Sequence, residues 1–314
     1  MKSIYTMLTA FGLVCLSACS GQITEPTEQV GNKPSQTIES QPRFTVEVTG
    51  SGPDLILIPG LASHPETFDT TVTQIEDRFT LHRVHVAGFA GAAPAGNAGE
   101  DDILFPLAKE IADYASTLEN PPSVIGHSLG GLTAMIAALE HEDAFTSVMV
   151  IDVLPFFSVL IDPSATEESI APTAAFLKTT LITQPDDIYK IRQREALDAL
   201  TKSDEALEKS LQWSLETDRS IMAEAMHDVL TTDIRDQMAS FPVPLMVLYA
   251  RDEVIPNMER VEQQFLSGYA PVPDLNMVPI DGALHFVMYD QPKSYASALE
   301  RFLVNMDVGS ESAE

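Results

Sequence analysis

The chain of 314 residues carries 46 Asp and Glu against 18 Lys and Arg, a formal charge of −28, and 45% of its residues are hydrophobic. That hydrophobic share can bury a core, which excludes a disordered or fibrous chain and suits one large domain or a domain with an insertion. A surface this negative repels phosphate backbones and excludes nucleic acid as a partner; the acids are spread along the chain and read as a solvated surface.

At the amino terminus, "MKSIYTMLTAFGLVCLSACSG" has Lys2, an apolar run from Ile4 to about Leu16, and then Leu16-Ser17-Ala18-Cys19. This is the layout of a secretory signal peptide, too short to span a bilayer as a helix. Its last four residues resemble the lipobox of bacterial lipoproteins, which implies a signal over 1–18, lipidation of Cys19 and a lipid-anchored protein of the bacterial cell envelope. Ser20 in place of Asp leans that expectation toward the outer membrane and periplasm. Cys15 and Cys19 are the only cysteines, and Cys15 leaves with the signal, so the mature body holds no disulfide. Residues 19–42 are polar and proline-bearing and read as a flexible tether reaching about 25 Å.

Strands and helices then alternate. "RFTVEVTG" alternates with period two, whereas "DLILIPG", "TLHRVHVAG", "PSVIG", "SVMVIDV", "PLMVLYA" and "LNMVPI" are short Val/Ile/Leu runs of the buried-parallel kind. Between them the patterns predict helices over Pro65–Ile75, Asp102–Leu118, Leu129–Glu140 and Met258–Leu266, with a closing helix over Gln291–Val304. Such alternation predicts an α/β fold, a parallel sheet covered by helices on both faces. From Pro155 to Phe241 it stops: four helical segments (Ala171–Leu181, Asp187–Leu200, Asp204–Leu215 and Arg219–Leu230) predict a helical cap inserted between two core strands. The domain reading is therefore a core of 43–154 and 241–305, a cap of 155–240 and a tail of 306–314.

Gly126-His127-Ser128-Leu129-Gly130 is a G-x-S-x-G motif. The pattern alone is weak, but it follows an apolar strand and opens an Ala-rich helix, the setting a nucleophile elbow requires. A free serine is a poor nucleophile and needs a base, which in turn needs an orienting acid. Of seven histidines only His285 follows the last core strand, in "DGALHFVMYDQP", and it is the candidate base. For the acid, Asp252 follows "LMVLYAR", with Asp152 at the end of "SVMVID" and Glu253 as alternatives. The oxyanion hole is expected from the backbone N–H groups of Leu129, directly after the serine, and Leu61, in the loop after "LILIPG". His82 and His85 lie on opposite strand faces and read as packing or surface residues; His127 supports the turn; His64 is close enough to the oxyanion loop to meet substrate; His141 and His227 read as exposed helical residues. No HExxH or similar ligand cluster is visible, so neither metal nor cofactor is expected.

Taken in order, "LILIPGLASHPETFD", "GHSLGG", "RDEVIP" and "LHFVMYDQP" resemble the α/β-hydrolase superfamily over about residues 43–305. The resemblance implies an eight-stranded, mostly parallel sheet, a Ser128–His285–acid triad and a cap over the site. Tyr249 departs from it, standing where many members have glycine before the acid turn. The loop "AGFAGAAPAGNAG" is unusually Gly/Ala-rich and is expected to line the entrance, and "LPFF" and "MAEAMHDVL" are expected to shape an apolar pocket.

Serine at the elbow argues against dehalogenase and epoxide hydrolase chemistry, which use aspartate there. What remains is acyl transfer on a small-molecule substrate, with carboxylic ester hydrolysis foremost. Lactonase, amidase and C–C hydrolase activities share the machinery, and a non-catalytic envelope binding protein on the same fold is the competing class.

Overall fold

Alternation along the strands sorts the core into two layers, because successive side chains of a strand point to opposite faces of its sheet. The computed structural model describes residues 41–310; the signal, Cys19 and nearly all of the tether lie outside the described residues. Strands run over Phe44–Gly50 (β1), Asp54–Ile58 (β2), Thr80–Val86 (β3), Ser123–His127 (β4), Ser147–Ile151 (β5), Leu245–Arg251 (β6) and Leu275–Asp281 (β7). They form one sheet in the order β1-β3-β2-β4-β5-β6-β7. All pairings are parallel except that of β1 with β3. The described residues thus supply seven strands rather than eight, with β1 and β7 at the edges.

Ile56, Ile58, Val124, Val148, Val150 and Val247 face one layer, packed by helices over Leu104–Ala115 (the second) and Leu129–Glu140 (the third). Leu55, Leu57, Ile125, Met149, Ile151 and Leu248 face the other, against the first helix, Asp69–Ile75, and the closing helix, Pro292–Ser310. Fully burying each such side chain contributes roughly 1.5–3 kcal/mol. The closing helix runs past its expected end at Val304, since "VNMDV" offers no breaker before Gly309.

Between β5 and β6 stand four helices, Glu167–Thr183 (α4), Asp186–Asp198 (α5), Asp204–Glu216 (α6) and Arg219–Thr231 (α7). α4 starts a turn before its expected beginning because Thr166 and Ser169 form a reciprocal capping box ahead of Pro172. Ser203 and Asp218 cap α6 and α7 through their side chains. Ala174, Leu177, Leu181, Tyr189, Met222 and Met226 give these helices an apolar cluster of their own. Among the described residues, no helix is long and apolar enough to cross a membrane.

Candidate active site

β4 ends at His127, and the helix Leu129–Glu140 begins two residues later, so Ser128 alone must make the turn. It does so at φ 53° and ψ −123°, a left-handed backbone that costs a non-glycine residue on the order of 1–3 kcal/mol. The strain is held by its neighbours: Ser128 N–H donates to Ile151 O at 2.9 Å, and Gly131 N–H donates to Ser128 O at 2.8 Å. A Cβ on Gly126 would stand 2.2 Å from Gly130 O, and one on Gly130 would stand 2.2 Å from Ile58 O. Helix and strands therefore meet backbone to backbone, which explains the glycines around one serine. Gly60, at the start of the Leu61 loop, is packed less tightly, since its Cβ would lie 3.2 Å from Ser128 Cβ.

His285 lies between β7 and a short helical turn, Val287–Asp290. Its carbonyl accepts the Nε2–H of His127 at 3.0 Å. Burial, and next the neighbouring His285, lower the pKa of His127 well below the usual imidazole value, so this ring is neutral. His285 Nδ1 donates to Asp152 Oδ2 at 2.8 Å, which leaves its Nε2 lone pair free to take a proton. Asp152 also holds a left-handed φ of 53° and accepts the Ala250 N–H at 2.8 Å through Oδ1.

The acid beside His285 is therefore Asp152 and not Asp252, the residue first expected. The register gives the reason: Ile151 pairs with His127 on one side and Leu248 on the other, so the next residue, Asp152, leaves its strand level with Ser128. Asp252 lies beyond the end of β6, with its carboxylate on Lys202 and the Val254 N–H. Burial pushes the Asp252 carboxyl up, but Lys202 and that N–H outweigh it and hold the group below its ordinary value. Glu253 is exposed.

Ser128, His285, Asp152, Leu61 and Leu129 line one cavity of about 160 Å³, whose cap side includes Phe157, Leu197, Met222, Met226 and Val229. The segments "LPFF" and "MAEAMHDVL" thus both reach it. The Gly/Ala-rich loop does not, and the expectation that it lines the entrance is corrected. Asp218 N–H donates to Gly88 O, Ala90 N–H to Thr217 Oγ1 and Gly91 N–H to Glu216 O, clasping the loop to the α6–α7 junction. His64 is also outside the lining; its Nδ1 accepts the Glu66 N–H, and its ring packs on His85 and Trp213. His82 is buried between Asp54 and Tyr114, and His227 is half-buried rather than exposed.

Residues 55–298 match the profile of the alpha/beta hydrolase family. The chain belongs to that family. This α/β-hydrolase is 26% identical to the pimeloyl-[acyl-carrier protein] methyl ester esterase of Nitrosomonas europaea over 67% of its own length and 81% of that protein's. It is 26% identical to the enzyme of the same description from Aeromonas hydrophila, over 82% and 98%. A hydrolase from Pseudomonas aeruginosa PA01 shares the fold with a TM-score of 0.68 at 17% identity, covering 83% of the present chain and 94% of the other.

Two groups in the α/β-hydrolase escape a reading of its sequence. Asp290 accepts Leu284 N–H, Thr201 Oγ1–H and Lys202 N–H at 2.8, 2.6 and 2.8 Å, so it ties the His285 loop to the turn between α5 and α6. It stands in the quoted "YDQP", where no chemical pattern marks it. Glu224, His227 and Asp228 bring ligand-type atoms within 4.8 Å of one another, at an i, i+3, i+4 spacing that "EAMHD" displays. Protein groups already occupy this cluster: Lys178 pairs with Glu224, and Asp228 Oδ2 accepts Ile103 N–H and Leu104 N–H at 2.8 and 3.2 Å.

Proposed function

We propose that this α/β-hydrolase cleaves carboxylic esters through an acyl-enzyme, with Ser128 as nucleophile, His285 as general base and Asp152 as the acid that orients it. The observation that carries the reading is the His285 Nδ1–Asp152 Oδ2 hydrogen bond beside a cavity that Ser128 also lines. His285 Nε2 takes the hydroxyl proton as Ser128 Oγ bonds to the ester carbon. The charge that develops on the carbonyl oxygen is met by the Leu129 and Leu61 N–H groups. The C–O bond breaks, His285 returns the proton to the departing alkoxide, and water repeats the sequence on the acyl-enzyme to release the acid. The Asp152 carboxylate stabilises the imidazolium formed in each half. The apolar lining favours a substrate with a hydrocarbon portion, and the likeness to bacterial methyl ester esterases supports ester over amide. The same proposal includes a lipid anchor at Cys19 that holds the enzyme on the bacterial envelope.

Labelling the purified protein with a fluorophosphonate probe, beside Ser128→Ala and His285→Ala, tests the reading. Rapid labelling of the parent that both substitutions abolish is the expected result. A folded parent that resists the probe and hydrolyses no aryl ester overturns it.

A further inference from the structure

We propose that Gln193 on α5 and Ser210 on α6 form a polar subsite in the cap that takes a neutral oxygen of the substrate, a hydroxyl, carbonyl or ether set within its chain. The inference rests on the ester-hydrolase reading above and names the class of ester. Both side chains are buried, with 2% and 4% of their surface exposed, and both line the cavity that holds Ser128. Gln193 Oε1 accepts the Ser214 hydroxyl at 2.9 Å, which leaves Nε2 as the other end of the amide. That Nε2, and Ser210 Oγ, have no hydrogen-bond partner among the described residues. Ser210 and Ser214 are one turn apart on α6 and so share one helix face.

A buried donor without a partner is destabilising, and a cavity made only for hydrocarbon would be better lined there by Met and Ala. Neighbouring lining residues on the cap, Ala196, Met222, Met226 and Val229, are apolar and offer no N–H or O–H side-chain donor. Sign is settled by the same lining, which among the described residues contains no Lys or Arg. A carboxylate or phosphate at this point would be buried without a compensating charge, whereas a neutral oxygen needs only the donors present. Gln193 supplies an N–H, and the Ser210 hydroxyl donates or accepts, so a ketone, ether or alcohol oxygen is accommodated. Ester analogues lacking that oxygen leave both groups unpaired, which converts a binding contact into discrimination.

The test is a series of p-nitrophenyl esters of equal chain length, one all-hydrocarbon and the others with a single ether or keto oxygen at successive positions. Their kcat/KM values are compared in the parent, Gln193→Met, Ser210→Ala and the double variant. The parent is expected to prefer one oxygen position over the hydrocarbon ester by about tenfold. In the double variant that ratio falls to near one, and hydrolysis of the hydrocarbon ester improves. If the double variant does not fold, the ratio in Ser210→Ala alone decides. Hydrolysis of the whole series with no preferred position, or a preference that survives both substitutions, overturns the subsite and leaves the hydrolase reading standing. Hydrolysis of none, with no probe labelling, overturns both.

Discussion

Asp152 accepts a hydrogen bond from His285 across 133 residues of chain, and it does so from the strand adjacent to the one that presents Ser128. Replacing Asp152 by Asn keeps the shape and loses the charge that fixes the His285 tautomer. A fall in kcat/KM of about 10³–10⁴ on an aryl ester is expected. Asp252→Asn, which removes the charge paired with Lys202, is expected to change kcat/KM by less than about threefold. The reverse ranking in steady-state kinetics would return the role to Asp252.

Glycine substitutions separate backbone contact from backbone angle. Gly130→Ala sets a methyl group 2.2 Å from the Ile58 carbonyl and drives the helix off the sheet. Loss of folded protein, or more than about 4 kcal/mol of stability, is expected by denaturant unfolding. Gly99 has a φ of +74° and nothing within 4 Å of an added Cβ, so Gly99→Ala costs only the left-handed penalty, about 1–2 kcal/mol.

Asp228 makes stability depend on pH. Burial is the main cause that pushes its carboxyl up to about 6, partly offset by the Ile103 and Leu104 N–H groups and reinforced by Asp102 and Glu224. A carboxyl held above its unfolded value binds its proton more tightly in the folded state, so its contribution is favourable at low pH and is lost as pH rises from about 4 through about 6. Asp228→Asn can keep the acceptor while removing the charge. It is expected to raise Tm at pH 8, by the equivalent of roughly 1–3 kcal/mol, and to leave Tm at pH 4 nearly unchanged. Thermal scans at the two pH values check the sign.

The proposed anchor has a direct test. Cys19→Ala in the full-length gene is expected to move the protein from the membrane fraction to the soluble fraction of a bacterial host, with loss of the acyl mass at the mature amino terminus. A parent that is already soluble and unacylated contradicts the lipobox reading.

The strand runs and the elbow were legible in the sequence because both are local. "DLILI", "SVIGH" and "LMVLYAR" announce buried strands by composition, and Ser128 is marked by glycines whose contacts are with the next strand and the next turn. The acid was not legible to the same degree. Asp152 and Asp252 both follow an apolar strand, and the choice between them depends on register, on Ile151 lying beside His127, which no single segment contains. The clasp on the Gly/Ala-rich loop was hidden for a similar reason, since its partners Glu216, Thr217 and Asp218 belong to a segment more than a hundred residues on. Asp290 lies in the "YDQP" stretch, but its three donors arrive from two separate segments.

With Asp152 beside His285, the loop after β2, the serine and the acid are all in place before α4 begins. Only His285 comes from the chain that returns to the sheet through β6 and β7. The helical insertion can thus be lengthened, traded or resurfaced without shifting Ser128 against Asp152, whose separation is a property of neighbouring strands. A descendant could change the lining of the cavity by rewriting α5 and α6, provided the turn between them still meets Asp290 and so holds the His285 loop.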